Sequence, residues 1–246
     1  MPFDSHIHLG RLPHPKDLAQ ALDQANYAYN AVACEPAEWE PLWEIWQNLG
    51  LKGKGCNLAF GIHPMSVMQT KESHKQELRA FLERDSDFMV GETGLDRRFP
   101  EYGPGELQEQ WFFFQAKLAL ELKRDLQIHC VGDYGRVIAL LKKVGFGQKQ
   151  SNSRPIFHRF GGDIGIARQI LDMDGLLSVH PSTITKKSSR LALAEIPKEK
   201  ILFETDADES FWNVADSADA SATAIEPIVQ RLLDALGNVR EAAENL

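Results

Sequence analysis

The chain has 246 residues, of which 43% are hydrophobic and 25% charged; that length and apolar content suit one large domain or two small ones with a sizeable core. Its formal net charge of -8, from 27 Lys and Arg against 35 Asp and Glu, disfavours a broad non-specific nucleic-acid surface, because such binding is driven by releasing counterions from phosphates onto basic side chains. A local phosphate pocket charged by bound cations remains compatible with it.

In chain order, strand-like apolar runs are predicted at residues 3–9, 27–34, 57–62, 88–92, 126–130, 155–160, 175–180 and 201–206. Helical spacing of apolar residues falls between and after them, at 15–25, 36–49, 73–84, 105–122, 133–144, 163–171, 188–194 and 218–236, with 239–246 as a helical tail. Strand alternating with helix throughout argues a parallel sheet. Eight strand-helix units in this length match the size of a closed (β/α)8 TIM barrel, an α/β fold, expected as a single domain over residues 1–246. No Gly-rich G-x-G-x-x-G turn follows the first strand, which disfavours an open doubly wound sheet.

No run reaches the roughly 20 apolar residues of a membrane span. The opening Pro2-Phe3-Asp4 has no basic stretch leading into an apolar one. The three cysteines, Cys34, Cys56 and Cys130, form no C-x-x-C pair, and read as buried small residues or free thiols rather than a disulfide framework. The expectation is a cytoplasmic protein with no membrane association and no obligate protein partner.

His6 and His8 stand two apart in the first strand, so both rings point to one side. Glu92, His129, His158 and Asp206 then follow at the ends of the fourth, fifth, sixth and eighth runs. Active sites of such barrels form at the carboxyl ends of the strands, so all six residues are expected to face one pocket. Without a cation, buried groups converging in this way would leave costly like-charge or unpaired contacts. Strand parity also turns Asp4 and Glu204 inward, where they could accept the second ring N–H of a ligating histidine. Cys130, next to His129, should point outward into packing. His63, in Gly61-Ile62-His63-Pro64, and His180 are placed at the pocket mouth, with His63 a candidate substrate contact.

The ordered set Phe3-Asp4-Ser5-His6-Ile7-His8, Gly61-Ile62-His63-Pro64, Val90-Gly91-Glu92-Thr93-Gly94-Leu95-Asp96, Ile128-His129, Phe157-His158-Arg159-Phe160 and Glu204-Thr205-Asp206 resembles the signature of the TatD family of metal-dependent deoxyribonucleases, within the amidohydrolase-like barrel superfamily. The resemblance covers Pro2 to about Asp206. It implies a (β/α)8 fold, one or two divalent ions, and hydrolysis of phosphodiester bonds, often as a 3'-to-5' exonuclease on DNA. It further implies that His6, His8, Glu92 and Asp206 hold one ion, and that Glu92 bridges to a second held by His129 and His158. The chain departs from the family pattern in reading His129-Cys130-Val131 after the fifth strand, and Ala207-Asp208-Glu209-Ser210-Phe211-Trp212-Asn213 where a Pro and a basic segment are usual.

Mixed imidazole and carboxylate ligands suit Zn, Mn, Ni or Co, with Mg if waters complete its shell. Asp206 is the expected general base, and Glu92 the shared carboxylate on which turnover depends. The acidic pair Asp208 and Glu209 would repel a phosphate backbone unless Arg97, Arg98 and Arg159 offset it, so Arg97 and Arg159 join His63 as expected substrate contacts. The substrate is expected to be a DNA end or a small phosphodiester. The alternative is an amidohydrolase or lactonase acting on a small C–N or C–O substrate, with Phe211 and Trp212 as a lid over a closed pocket. A non-catalytic scaffold is disfavoured, having no need of so costly a cluster.

Overall fold

The computed structural model describes residues 2–148, 152–213 and 225–246. Eight parallel strands, β1 (Phe3–Ile7), β2 (Ala28–Ala33), β3 (Cys56–Phe60), β4 (Met89–Asp96), β5 (Leu126–Val131), β6 (Pro155–Phe157), β7 (Leu176–Val179) and β8 (Ile201–Phe203), lie side by side in chain order. Each predicted strand is present, and β4 runs four residues past its expected end at Glu92.

Helices α1 (Pro15–Gln24), α2 (Pro36–Asn48), α3 (His74–Leu82), α4 (Gly105–Leu122), α5 (Tyr134–Val144) and α6 (Ile164–Leu171) connect successive strands through β7. Two short helices, α7 (Pro181–Thr185) and α8 (Lys187–Leu193), fill the link to β8. The five-residue α9 (Glu209–Asn213) and the long α10 (Ile225–Glu244) follow. The expected final helix begins at 218, and its first residues, to 224, lie outside the described ones. Proline at the first turn opens α1 and α2, where its missing N–H leaves no bond unmade. Asp133 and Asp163 cap α5 and α6, accepting from the backbone N–H of Arg136 and Ile166, each at 3.0 Å. Helix α10 buries Ile228, Leu232, Leu236 and Val239, one helical stripe, and packs back on α1.

The main core lies between barrel and helices. Trp46, Phe60, Phe81 and Phe88 form edge-on and tilted aromatic contacts with centroids 5.1–5.5 Å apart, and burying each such ring contributes roughly 2–3 kcal/mol. A second apolar cluster, Val32, Ala59, Met89, Ile156 and Leu176 with Leu202, fills the barrel interior. Ile156 and Val32 precede His158 and Cys34 by two, so the parity that floors the barrel with apolar side chains delivers polar ones to its mouth.

Between β1 and the residues after β8 the barrel is closed by two backbone bonds, Asp206 N–H to His6 O at 3.0 Å and His8 N–H to Ala207 O at 2.9 Å. Asp4 locks the same seam. Its carboxylate accepts from Thr205 N–H (3.0 Å), Thr205 Oγ1 (2.6 Å) and Tyr27 OH (3.0 Å). That corrects the expected role for Asp4: its carboxylate is taken up by Thr205, by Tyr27 and, at 3.2 Å, by the His6 backbone N–H, rather than by a histidine ring.

Gly94 allows the long β4 to pass β5. Its φ is +156°, and a Cβ there would sit 1.8 Å from the His129 carbonyl oxygen. Among the described residues, no helix is long and apolar enough to cross a membrane.

Candidate metal centre

The carboxyl ends of the strands bring the expected ligands together. His6 Nε2 is 3.3 Å from Glu92 Oε2 and 3.7 Å from Asp206 Oδ1; His8 Nε2 is 3.6 Å and 3.3 Å from the same two atoms. On the other side, Glu92 Oε1 is 2.9 Å from His129 Nδ1 and 2.7 Å from His158 Nε2. The two oxygens of Glu92 therefore face two separate groups of donors. Atoms that share a zinc-sized cation at bond lengths near 2.0–2.1 Å lie roughly 3.3–3.5 Å apart at tetrahedral angles; in the first group His6–Glu92 and His8–Asp206, each 3.3 Å, have this spacing, and the other two pairs are slightly wider.

His63 lies deeper than a mouth position. Its Nε2 is 3.6 Å from Glu92 Oε1, its ring meets His129 edge-on at 4.3 Å, and its Nδ1 accepts the Met65 backbone N–H. His180 stays apart, with its Nδ1 turned to Ser182 at the start of α7.

Two ring nitrogens that face away from Glu92, on His129 and His6, have hydrogen-bond partners, whereas His158 Nδ1 has none among the described residues. His129 Nε2 is 2.9 Å from Asp96 Oδ2, which Arg98 also grips, and His6 Nδ1 is 3.3 Å from Gln127 Oε1. Glu204 lies 3.7 Å from His158 Nδ1, as its inward parity suggested, while its other contact is the Arg159 N–H. These contacts fix ring orientation and tautomer, as outer partners of metal ligands do.

Burial opposes charge on Glu92, yet the imidazoles of His158, His63 and His6 around it hold it well below the usual carboxylate range. Asp206, buried likewise, is kept low by His8, His158 and His6. Burial and then repulsion from His129 push His63 far down, so that it is neutral. Against its own burial, His158 is raised by Glu92 and Glu204.

The donor set fits a divalent ion on a further observation. His6 is completely buried, and its Nε2, aimed between Glu92 and Asp206, has no hydrogen-bond partner among the described residues. A buried polar atom without a partner costs about 1–3 kcal/mol, and a cation bound there removes that cost. His6, His8 and Asp206 form one group able to hold an ion, and Glu92 is shared by others with His158 and with His63 and His129.

Beside the cluster opens a cavity of about 230 Å³ whose wall includes His129, His158, Tyr134, Arg98, Arg159 and Lys186. Arg159 reaches Asp206 Oδ2 at 2.8 Å. Arg97 does not line this cavity; its guanidinium is held by Asp133 at 3.0 Å and Glu109 at 3.4 Å. Sequence reasoning missed Lys186 and the role of Asp96. Cys130, expected in packing, is buried in the core cluster and also borders the cavity. Phe211 packs against the core, and the side chain of Trp212 lies outside the described residues.

A family model described as TatD related DNase matches residues 3–226. The human 3'-5' RNA nuclease TATDN2 is 31% identical over 167 residues, 66% of this chain and 21% of that protein. The 3'-5' ssDNA/RNA exonuclease TatD of Cronobacter sakazakii is 29% identical over 157 residues, 63% of this chain and 58% of its own length. The matches thus span about a fifth and under three-fifths of these relatives. Among solved structures, the TatD homolog YJJV of Escherichia coli k12 superposes with a TM-score of 0.73 at 21% identity, covering 95% of each chain.

Proposed function

The chain belongs to the TatD-related DNase family, and on that premise we propose that it is a divalent-metal-dependent phosphodiesterase that removes nucleotides from the 3' end of DNA or RNA. The observation that carries this reading is the position of Glu92, with one oxygen toward His6, His8 and Asp206 and the other toward His129 and His158. Ions held by these residues would supply Lewis acidity to the phosphoryl group and an activated water at neutral pH.

The protein's own groups do the rest. Asp206, ionised and facing the first group of donors, accepts the proton of the attacking water and returns it to the departing 3' oxygen as the P–O3' bond breaks. Arg159, bound to Asp206 Oδ2, holds that carboxylate in place and exchanges this contact for a substrate phosphate. Arg98 and Lys186 on the cavity wall meet the phosphates of the strand, and Tyr134 offers a ring edge to a base. His63, neutral beside Glu92, contacts the substrate or completes the second group. This local cationic wall answers the expected repulsion by Asp208 and Glu209 within a chain of net charge -8.

Residues 1–246 act on this reading as one domain, since the strands through Phe203 and the packing of α10 on α1 form a continuous core. Three free, buried cysteines suit a reducing compartment, so we place the protein in the cytoplasm.

The test is turnover by chelator-stripped protein, with Zn, Mn, Co, Ni and Mg restored separately, on end-labelled single-stranded DNA and RNA beside a small lactone and an amide. Metal-dependent release of mononucleotides, lost in His129→Ala, supports the proposal. Hydrolysis of the lactone or amide alone moves the assignment to the small-molecule branch.

A further inference from the structure

Strand β4 ends at Asp96, and the residues after it carry side chains from the metal centre to the surface. Arg98 is tied back to that carboxylate, with its backbone N–H at 2.9 Å and its Nε at 3.0 Å from Asp96 Oδ1. Its guanidinium lies over the Phe99 ring, 5.1 Å from the centroid. Pro100 then opens a short turn in which Tyr102 N–H donates to Phe99 O and Gly103 N–H to Pro100 O, both at 3.1 Å. Phe99 and Tyr102 are thus held by the backbone of one turn.

A line of rings leads outward from the ligand cluster. His129 meets His63 with centroids 4.3 Å apart, His63 meets Tyr102 at 6.3 Å, and Tyr102 meets Phe99 at 5.0 Å. Exposure rises along the line: His129 and His63 are buried, Tyr102 is half-buried and Phe99 is 41% exposed. Met68, 53% exposed, flanks the turn, where a Cβ on Gly103 would stand 2.5 Å from its sulfur. A single exposed ring on a surface calls for no explanation. Phe99 has a cation over it and a second ring beside it, and Arg98 also lines the cavity next to the metal centre. Aromatic faces interleaved with basic side chains are the surface on which single-stranded nucleic acid stacks its bases, with an added cation–π contribution from arginine.

Resting on the phosphodiesterase reading above, we infer that Phe99, backed by Tyr102, is the stacking platform for the base of the penultimate nucleotide, the one whose 3' oxygen departs. The terminal nucleotide lies in the cavity lined by Tyr134 and Lys186, and the strand leaves across Arg98 toward Phe99. A base inside a duplex already has both faces stacked, so this platform takes an unpaired 3' end. The competing arrangement makes Phe99 and Met68 a contact patch for another protein, with no base on the ring.

Two end-labelled single-stranded DNA oligonucleotides separate the arrangements, one normal and one with an abasic unit as its penultimate nucleotide. Each is digested by the metal-loaded full chain, by Phe99→Ala and by Phe99→Trp. Removing the base should lower kcat/KM for the first cleavage at least about fivefold in the native protein, mainly through KM, and under about twofold in Phe99→Ala, where the ring that held the base is already gone. Phe99→Trp keeps a stacking face and should respond to the abasic unit as the native protein does. An abasic loss equal in the native protein and Phe99→Ala, or no loss in the native protein, overturns the inference and leaves the phosphodiesterase standing. Failure of the native protein to cleave the normal oligonucleotide with every metal restored overturns the reading on which the inference rests.

Discussion

His129 Nε2 stands 2.9 Å from Asp96 Oδ2, and the opposite ring nitrogen, Nδ1, stands 2.9 Å from Glu92 Oε1. Asp96 thereby decides which nitrogen of His129 faces the second group of donors. Burial works against charge on Asp96, but His129 and Arg98 hold it well below the usual carboxylate range, so it is an acceptor that keeps the proton on His129 Nε2. Asp96→Asn should weaken the second group's metal affinity by about 10–100-fold, read by metal titration against a chelating indicator. An unchanged affinity would mean that the ring is held by packing alone.

Removing metal should lower stability. An ion present at 100 times its dissociation constant stabilises the folded chain by about 2.7 kcal/mol, which for a chain of this size is a melting shift of roughly 5–10 °C. Thermal unfolding of stripped and reloaded protein checks it, and coincident curves would count against any resident ion.

Arg159 and Arg97 should behave differently although both were expected to touch substrate. Arg159→Ala removes a cavity-wall cation bound to Asp206, and should raise KM for a nucleic-acid substrate and lower kcat, together about 10–100-fold in kcat/KM. Arg97→Ala removes a side chain already paired with Asp133 and Glu109, and should leave kcat/KM within about threefold while changing stability by under 1 kcal/mol. Steady-state kinetics of the two variants decide it; equal losses would place Arg97 in the substrate path.

Gly94→Ala should be severe. The added methyl would meet the His129 carbonyl oxygen at 1.8 Å, where only backbone could give way. A loss of at least about 4 kcal/mol is expected, measured by urea denaturation, and a stable variant would show that β4 and β5 can separate there.

The strands and the convergence of six His, Glu and Asp residues were legible because both follow from period-two alternation, with a polar residue where each apolar run ends. Strand β4 was less legible. Its register against β5 shifts between Val90 and Thr93, which carries the strand on to Asp96 and brings that carboxylate to His129; a run judged by hydrophobicity stops at Glu92. Parity placed Asp4 inward correctly but could not reveal its partners, since Thr205 reaches it across the seam. For Arg97 and Lys186, charge and sequence position did not determine which way a long side chain turns.

The seam has one more consequence. Asp4 and Thr205, which it joins, are 201 positions apart, and His6, His8 and Asp206 sit on the same two edges of the barrel. An ion seated among them would therefore act as a reversible cross-link on a loop comprising most of the chain, restraining the separation of its ends as a covalent bridge of that span would. Opening of the barrel and loss of the reaction centre then become one event, and the first strand cannot peel away while the ion remains bound to both sides.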